Sequence, residues 1–249
     1  MKGIAIIIIV GLFSFSLPAF ANGLPDGDRD GVPDRDEKEI YHTNPASSDT
    51  DGDGFKDFEE ITTGYSPVNP KPVRLIDSDI DNDGLTEAWE IKFKSDPFVA
   101  DTDGDGKKDG EEVDKGYDPV AGEGAKLTKS LRISLGAQKL DYLLNGYSWK
   151  SFPISSGRPD MPTTKGEFII SNKIEKAWSK SYGLWMPYWL GLAGTRMGIH
   201  ELPVWPNGYR EGENHLGKPV SHGCVRLGVG AAKYIYERME PGEKVEIVR

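Results

Sequence analysis

The sequence predicts a chain of two unlike halves. The first is an N-terminal array of acidic loops with short helices, and the second is mainly β with one or two helices. Three observations predict this. Residues 22–125 hold 29 Asp and Glu against 11 Lys and Arg, a net of −18, whereas residues 126–249 hold 11 against 18, a net of +7. A single compact domain rarely segregates charge so sharply. A twelve-residue template recurs four times in the acidic half, and alternating apolar and polar runs fill the basic half.

The chain opens with Met1-Lys2, an apolar run from Ile4 to Leu17, and small residues at Ala19 and Ala21. A charged tip, a short apolar stretch and a small-residue site describe a secretory leader over residues 1–21. The run falls short of the ~20 apolar residues a membrane span needs. The expected location is outside the cytoplasm, in the periplasm or cell envelope, with no transmembrane span after cleavage. No nucleic-acid partner is expected, and the sequence assigns no oligomeric state.

The four acidic segments are 26–37, 49–60, 79–90 and 101–112. Each carries Asp at positions 1, 3 and 5, Gly at 6, an acid at 9 and Glu at 12. The candidate metal ligands are Asp26, Asp28, Asp30, Asp34 and Glu37, then Asp49, Asp51, Asp53, Asp57 and Glu60, then Asp79, Asp81, Asp83, Glu87 and Glu90, and finally Asp101, Asp103, Asp105, Asp109 and Glu112. Ca²⁺ takes six to eight oxygens at about 2.3–2.6 Å, and alternate carboxylates on a turning loop converge on one point. Position 7 varies freely (Val32, Phe55, Leu85, Lys107), as expected where only a backbone carbonyl is needed. A disordered acidic linker would not keep Gly in register four times. The loops start 23, 30 and 22 residues apart, which leaves no room for the paired helices of an EF-hand. The spacing and the phrase TNPASSDTDGDG are similar to bacterial thrombospondin type 3 repeats over residues 26–120. That resemblance implies a calcium-stabilised spacer or stalk. His42 reads as a surface residue, because carboxylates already suit a hard cation.

The basic half begins with LRISLGAQKLDYLLNGYSWKSFPISSG, two alternating runs broken by Asn145-Gly146, a hairpin signal. KGEFIISNK and the terminal KVEIVR read as strands. Residues 229–239 have helical spacing, with Ala232, Ile235 and Tyr236 on one face. The aromatic group Trp178, Tyr182, Trp185, Tyr188 and Trp189 has two readings, core packing or the wall of a substrate groove.

Cys224, in SHGCVRL, is the only cysteine. An unpaired thiol in an exported chain is either a buried small apolar residue or a reactive group. A thiol needs a base and an oxyanion site to act as a nucleophile. On an extended strand His222 and Arg226 would share a face with Cys224. Gly223 would let a carbonyl approach the backbone N–H groups of 223 and 224. His200 and His215 are further candidate bases, His215 reading more simply as a loop residue. One Cys with scattered His does not make a structural zinc site.

IHELP followed by HLGKPVSHGCVRL resembles the signature of the L,D-transpeptidases of the YkuD family. The stretches KLDYLLNGYSWKSFPISSGRPDMPTTKGEFII and WMPYWLGLAGTRMGIH resemble the sequence upstream of it, so the likeness covers residues 128–249. The resemblance implies a β-sandwich catalytic domain over residues 126–249, preceded by the repeat region at 22–125. It implies Cys224 as nucleophile, His200 as its base, and His222, Gly223 and Arg226 lining the acyl site, with Ser221 as the small hydroxyl before them. It further implies no catalytic cofactor, and peptidoglycan stem peptides as substrate, with release of D-Ala and a side activity as an L,D-carboxypeptidase. Two departures stand out: Glu201 replaces the usual Gly, and an insert, VWPNGYREGEN, lengthens the gap between His200 and Cys224. The rival reading is a calcium-dependent surface or adhesion protein with an inactive transpeptidase-like module.

Overall fold

The computed structural model describes residues 24–249, and the expected leader lies outside the described residues. The chain divides into two compact units, with the break between Glu111 and Glu112.

In the first unit each acidic loop runs directly into a short helix. These are α1 (Asp34–Asp36, continuing as a π-type turn through Glu37–Tyr41), α2 (Asp57–Thr63), α3 (Glu87–Phe93) and, across the break, α4 (Asp109–Lys115). The helices stay short because left-handed residues end them: His42 at φ 54°, Gly64 at 83° and Lys94 at 66°. Val32, Tyr41 and Ile61 form a buried cluster, with Ile40, Phe58 and Ile91 packed on it.

The loops couple in pairs. The Asp30 carboxylate accepts from the Phe58 N–H at 3.1 Å, which ties the first loop to the start of α2. The Asp83 carboxylate accepts from the Gly110 N–H at 2.8 Å, in the same register between the third loop and α4. Position 7 follows this pairing. Val32 and Leu85, on the first and third loops, are fully buried, whereas Phe55 on the second is 58% exposed. Gly110 answers the close approach, since a Cβ there would lie 2.8 Å from the Asp83 carbonyl oxygen.

The second unit is built on eight strands: β1 (Lys129–Ser134), β2 (Lys139–Leu144), β3 (Tyr147–Ser155), β4 (Gly166–Ser179), β5 (Leu184–Leu192), β6 (Gly198–Glu201), β7 (Val225–Leu227) and β8 (Lys244–Val248). Asn145 and Gly146, at φ 47° and 86°, form the expected hairpin turn between β2 and β3. The strands close in the order β1-β2-β3-β7-β6-β5-β4-β8. The expected sandwich is thus a closed barrel in which the long strands β3 and β4 each change partner along their length. β3 pairs with β2 over its first part and with β7 at Ile154 and Ser155. β4 pairs with β8 over Gly166–Ile169 and with β5 from Ile170 onward. Leu131, Ile133, Leu140, Ile154, Ile170, Ile199, Val225, Leu227 and Ile247 fill the interior, none more than 2% exposed.

α5 (Ala231–Arg238) buries Ala232 and Ile235, as its spacing predicts, while Tyr236 is half-buried against Tyr188. The Arg238 guanidinium donates to the Asp114 carboxylate at 2.5 Å and the Tyr234 hydroxyl donates to it at 3.1 Å, so the end of α4 packs within this unit.

Candidate functional site

The site forms where β6 and β7 run parallel. Ile199 pairs with Val225 and His200 with Arg226. Side chains alternate across a strand, so Ile199 and Val225 enter the core while His200 and Arg226 point the other way. Cys224, one step before β7, lies on the same side as Arg226. Cys224, His200, His222 and Arg226 line one cavity of about 420 Å³, together with Tyr182, Trp189, Trp205 and Glu211.

The residues before β7 are not a strand. Residues 222–224 bend, with Gly223 at φ 110°, a conformation that favours glycine. The expectation that strand alternation aligns His222 with Cys224 is therefore replaced. The bend itself delivers His222 to the cavity, where its ring stacks on Tyr182 at 4.6 Å. Ser221 and Gly223 are buried behind the cavity wall. Ser221 Oγ donates to the Cys224 carbonyl at 2.5 Å and accepts from the Gly223 N–H at 3.1 Å. Thr163 Oγ1 accepts from the Gly157 N–H and donates to the Gly223 carbonyl, both at 2.8 Å.

His200 is 3% exposed. Its Nδ1 lies 2.6 Å from the Glu201 carbonyl oxygen. A carbonyl only accepts, so Nδ1 carries the hydrogen and Nε2 is left as an acceptor. Burial, reinforced by the Arg226 charge, pushes its pKa down to about 4. Trp189 stacks on the ring at 5.9 Å. It also lies over Gly198, where a Cβ would sit 2.6 Å from the indole. Burial pushes the Cys224 thiol up, against the Gly198 amide and the Arg226 charge, which pull it down. Cys224 as a residue is half-buried and lines the cavity.

The insert between β6 and β7 is clasped at two adjacent residues. Arg210 pairs with buried Glu201 of β6, and the Arg226 guanidinium of β7 donates to Glu211 at 2.5 Å. Glu201, buried in β6, therefore has a partner supplied by the insert. Glu211 thereby occupies the Arg226 guanidinium at the cavity wall. His215 Nδ1 lies 3.2 Å from Glu211, on a short turn outside the Cys224 cavity. The aromatic group is not core. Trp178 and Tyr182 are more than 40% exposed, Trp178 pairs with Trp185 at 4.7 Å, and Tyr182 and Trp189 form cavity wall.

In the acidic loops, Asp26, Asp28 and Asp30, then Asp49, Asp51 and Asp53, then Asp79, Asp81 and Asp83, then Asp101, Asp103 and Asp105 each bring ligand atoms within 4.8 Å of one another. The position-9 acids Asp34, Asp57 and Asp109 instead accept from the loop's own position-2 amides, at Gly27, Thr50 and Thr102. They brace the loop rather than join the cluster. The residues fit a hard divalent cation. Asp28, Asp51, Asp81, Glu37, Glu60 and Glu90 each keep a buried carboxylate oxygen without a hydrogen-bond partner. Burial first, then neighbouring aspartates, pushes Glu37 to about 7, Glu60 to about 8 and Glu90 to about 9. His42 lies 3.7 Å from Asp96, outside the ligand clusters.

The fold and the site together are a closed β domain that holds a thiol, an imidazole and a clamped guanidinium in one cavity. Residues 128–247 match the family of L,D-transpeptidase catalytic domains called YkuD, and residues 49–64, 79–100 and 101–120 match the bacterial TSP3 repeat, a calcium-binding type. The chain thus carries a YkuD-type L,D-transpeptidase domain preceded by TSP3 repeats. The loop at 26–37 lies outside the matched repeats but shares their hydrogen bonding: the Gly31 and Gly54 amides donate to the position-1 aspartates at 3.3 and 3.1 Å.

A Bacillus licheniformis protein described as an L,D-transpeptidase, YkuD, is 29% identical over 97 residues, 39% of this chain and 52% of that one. The chain thus spans about half the length of this curated relative. Among solved structures, an L,D-transpeptidase from Stackebrandtia nassauensis is 27% identical with a TM-score of 0.41, covering 50% of this chain and 57% of that one. One from Mycobacterium smegmatis is 18% identical with a TM-score of 0.44, covering 50% and 60%.

Proposed function

We propose that this chain is an exported cysteine acyltransferase acting on peptidoglycan stem peptides. The observation that supports this most is the parallel β6–β7 register, which turns Cys224, His200 and Arg226 toward one cavity. His200 Nε2 takes the Cys224 proton, and the sulfur attacks the carbonyl between the L-centre and the terminal D-residue of a tetrapeptide stem. The oxyanion rests on the Cys224 N–H, since the Gly223 N–H is already given to Ser221. The C–N bond breaks, His200 returns the proton to the departing D-Ala amine, and a thioester remains. An amine of a second stem, deprotonated by His200, attacks the thioester and regenerates the thiol. Water in place of that amine would give carboxypeptidase activity.

His222, stacked on Tyr182, is an auxiliary wall of the acyl site, while Ser221 and Gly223 hold the bend. Arg226, clamped by Glu211, stabilises charge at the sulfur. The reaction draws on no cofactor in this scheme. Residues 22–125 form a spacer, with Ca²⁺ held by the aspartates at positions 1, 3 and 5 and the Glu at 12. Calcium there supplies folding energy to crowded carboxylates. The proposed setting is the periplasm or another layer of the cell envelope.

The test is mass spectrometry with a carbapenem and then with purified stem tetrapeptide. One adduct on wild type and none on Cys224→Ala is expected, followed by D-Ala release. A wild type that takes no adduct would leave the rival surface-protein reading.

A further inference from the structure

The insert ends in an exposed aromatic tip that the transfer reaction leaves unused. Trp205 is 38% exposed and Tyr209 61% exposed. Their positions are set by the backbone. The Trp205 N–H donates to the Tyr209 carbonyl at 2.7 Å, the Gly208 N–H donates to the Trp205 carbonyl at 2.9 Å, and the Tyr209 N–H donates to Asn207 Oδ1 at 3.0 Å. Val204, just before the turn, exchanges both backbone hydrogen bonds with Trp185 at 2.8 and 2.9 Å. Arg210 and Glu211, just after it, are clasped to β6 and β7. Two large aromatics are thus held in water at the two ends of a pinned turn.

Between them runs a groove of about 550 Å³ lined by Trp205, Pro206, Asn207, Tyr209, Glu211 and His215. Trp205 and Glu211 line both the Cys224 cavity and the groove, so the two share a wall. Its chemistry is selective. Flat aromatic and proline faces alternate with an amide, a carboxylate and an imidazole. Among the described lining residues none is Leu, Ile, Val or Met, which would hold the apolar face of a peptide helix, and none is a lysine, which would hold a polyanion. Exposed aromatic patches of this kind mark binding surfaces. The face of a pyranose ring presents weakly positive C–H groups to the negative face of an aromatic ring, while its hydroxyl and acetamido groups project sideways to polar partners.

We propose that the Trp205–Tyr209 turn is a glycan-binding platform that takes N-acetylated sugar rings of a polysaccharide chain beside the Cys224 cavity. It rests on the proposed function in one respect: the sugar is the strand bearing the acyl-donor peptide. Tyr209 and Trp205 stack on sugar faces, and Asn207 and His215 meet the side groups. Glu211 both closes the groove and clamps Arg226.

Full-length protein is titrated with a soluble β-1,4-linked N-acetylglucosamine hexamer, read by calorimetry and tryptophan fluorescence. Binding is expected, with Tyr209→Ala weakening it at least tenfold and Tyr209→Trp retaining it. No binding, or equal binding by Tyr209→Ala, overturns the platform. Tyr209-dependent binding of a free stem tetrapeptide with no binding of the hexamer overturns it in favour of a peptide subsite. A carbapenem adduct on the same wild-type sample reads the transferase separately. An adduct without hexamer binding rejects the platform alone, and hexamer binding without an adduct rejects the transferase alone.

Discussion

Arg226 donates a 2.5 Å hydrogen bond to Glu211, and both side chains face the cavity that holds Cys224. The guanidinium is 7% exposed, so its charge acts at close range through little water. Glu211 offsets that influence by supplying the opposite charge. In Glu211→Gln the Arg226 charge bears on the sulfur undiminished and favours the thiolate. The pH midpoint of Cys224 alkylation by iodoacetamide is expected to move down by about one unit. The same variant leaves a buried cation unpaired and is expected to lose roughly 3 kcal/mol in chemical denaturation. An unmoved midpoint would show that Glu211 does not govern the thiol.

A second expectation concerns pH in the wild type. Burial disfavours the Cys224 thiolate, and the His200 imidazole, pushed down to about 4, is neutral through the physiological range. Thiol alkylation should therefore keep climbing into alkaline pH. A flat plateau from pH 5 to 8, the mark of a preformed thiolate–imidazolium pair, would contradict it. The sign for stability follows from the same histidine. The unfolded chain takes up a proton near pH 6.5 and the folded one only near 4, so stability falls as pH drops through that window, by about 3 kcal/mol at most.

For the repeats, chelation of Ca²⁺ should change circular dichroism and hasten proteolysis of residues 24–111. Glu90 makes the opposite demands of the two states explicit. Its folded pKa is raised to about 9, so the metal-free form binds a proton that the unfolded chain releases near 4.5. Metal-free stability should accordingly rise as pH falls from 9 toward 4.5. Glu90→Gln should strengthen the chelated protein while weakening Ca²⁺ binding at the third loop roughly tenfold or more. Stronger binding by the variant would remove Glu90 from the ligand set.

Gly223→Ala tests the bend. A β-carbon at φ 110° costs on the order of 1–3 kcal/mol, although its nearest neighbours, the Met161 and Pro162 carbonyl oxygens, would lie 3.9 Å away in ordinary contact. Carbapenem acylation should fall at least tenfold as Cys224 and His222 shift, while the fold survives by circular dichroism. Wild-type acylation in this variant would mean that the bend is incidental.

What could be read from residues alone divides along physical lines. The loops were legible because calcium geometry fixes residue type at six positions in twelve, and the hairpin because Asn145-Gly146 favours positive φ. Cys224 and His200 stood out through their motif context, and the helix at 231–238 through its apolar spacing. The pairing of loops was hidden, because Asp30 and Asp83 look like every other position-5 aspartate. The bracing role of Asp34, Asp57 and Asp109 was equally invisible, since a carboxylate carries no mark of whether it meets an amide or a cation. Glu211 lies fifteen positions from Arg226 in a loop without period, and only the fold brings them together. A signal for Trp189 did exist in Gly198, which a ring resting on that backbone requires.

The placement of β8 has a consequence for how the second unit is made. Lys244–Val248 lies between β1 and β4, parallel to the first and antiparallel to the second. The earliest strand of the unit therefore has one lateral neighbour that leaves the ribosome only after more than a hundred further residues. Until then β1 and the start of β4 expose unfilled edges to whatever else is nearby. Closure is a late, long-range event, and shortening the chain by the few residues of β8 would reopen the whole circle rather than fray one end.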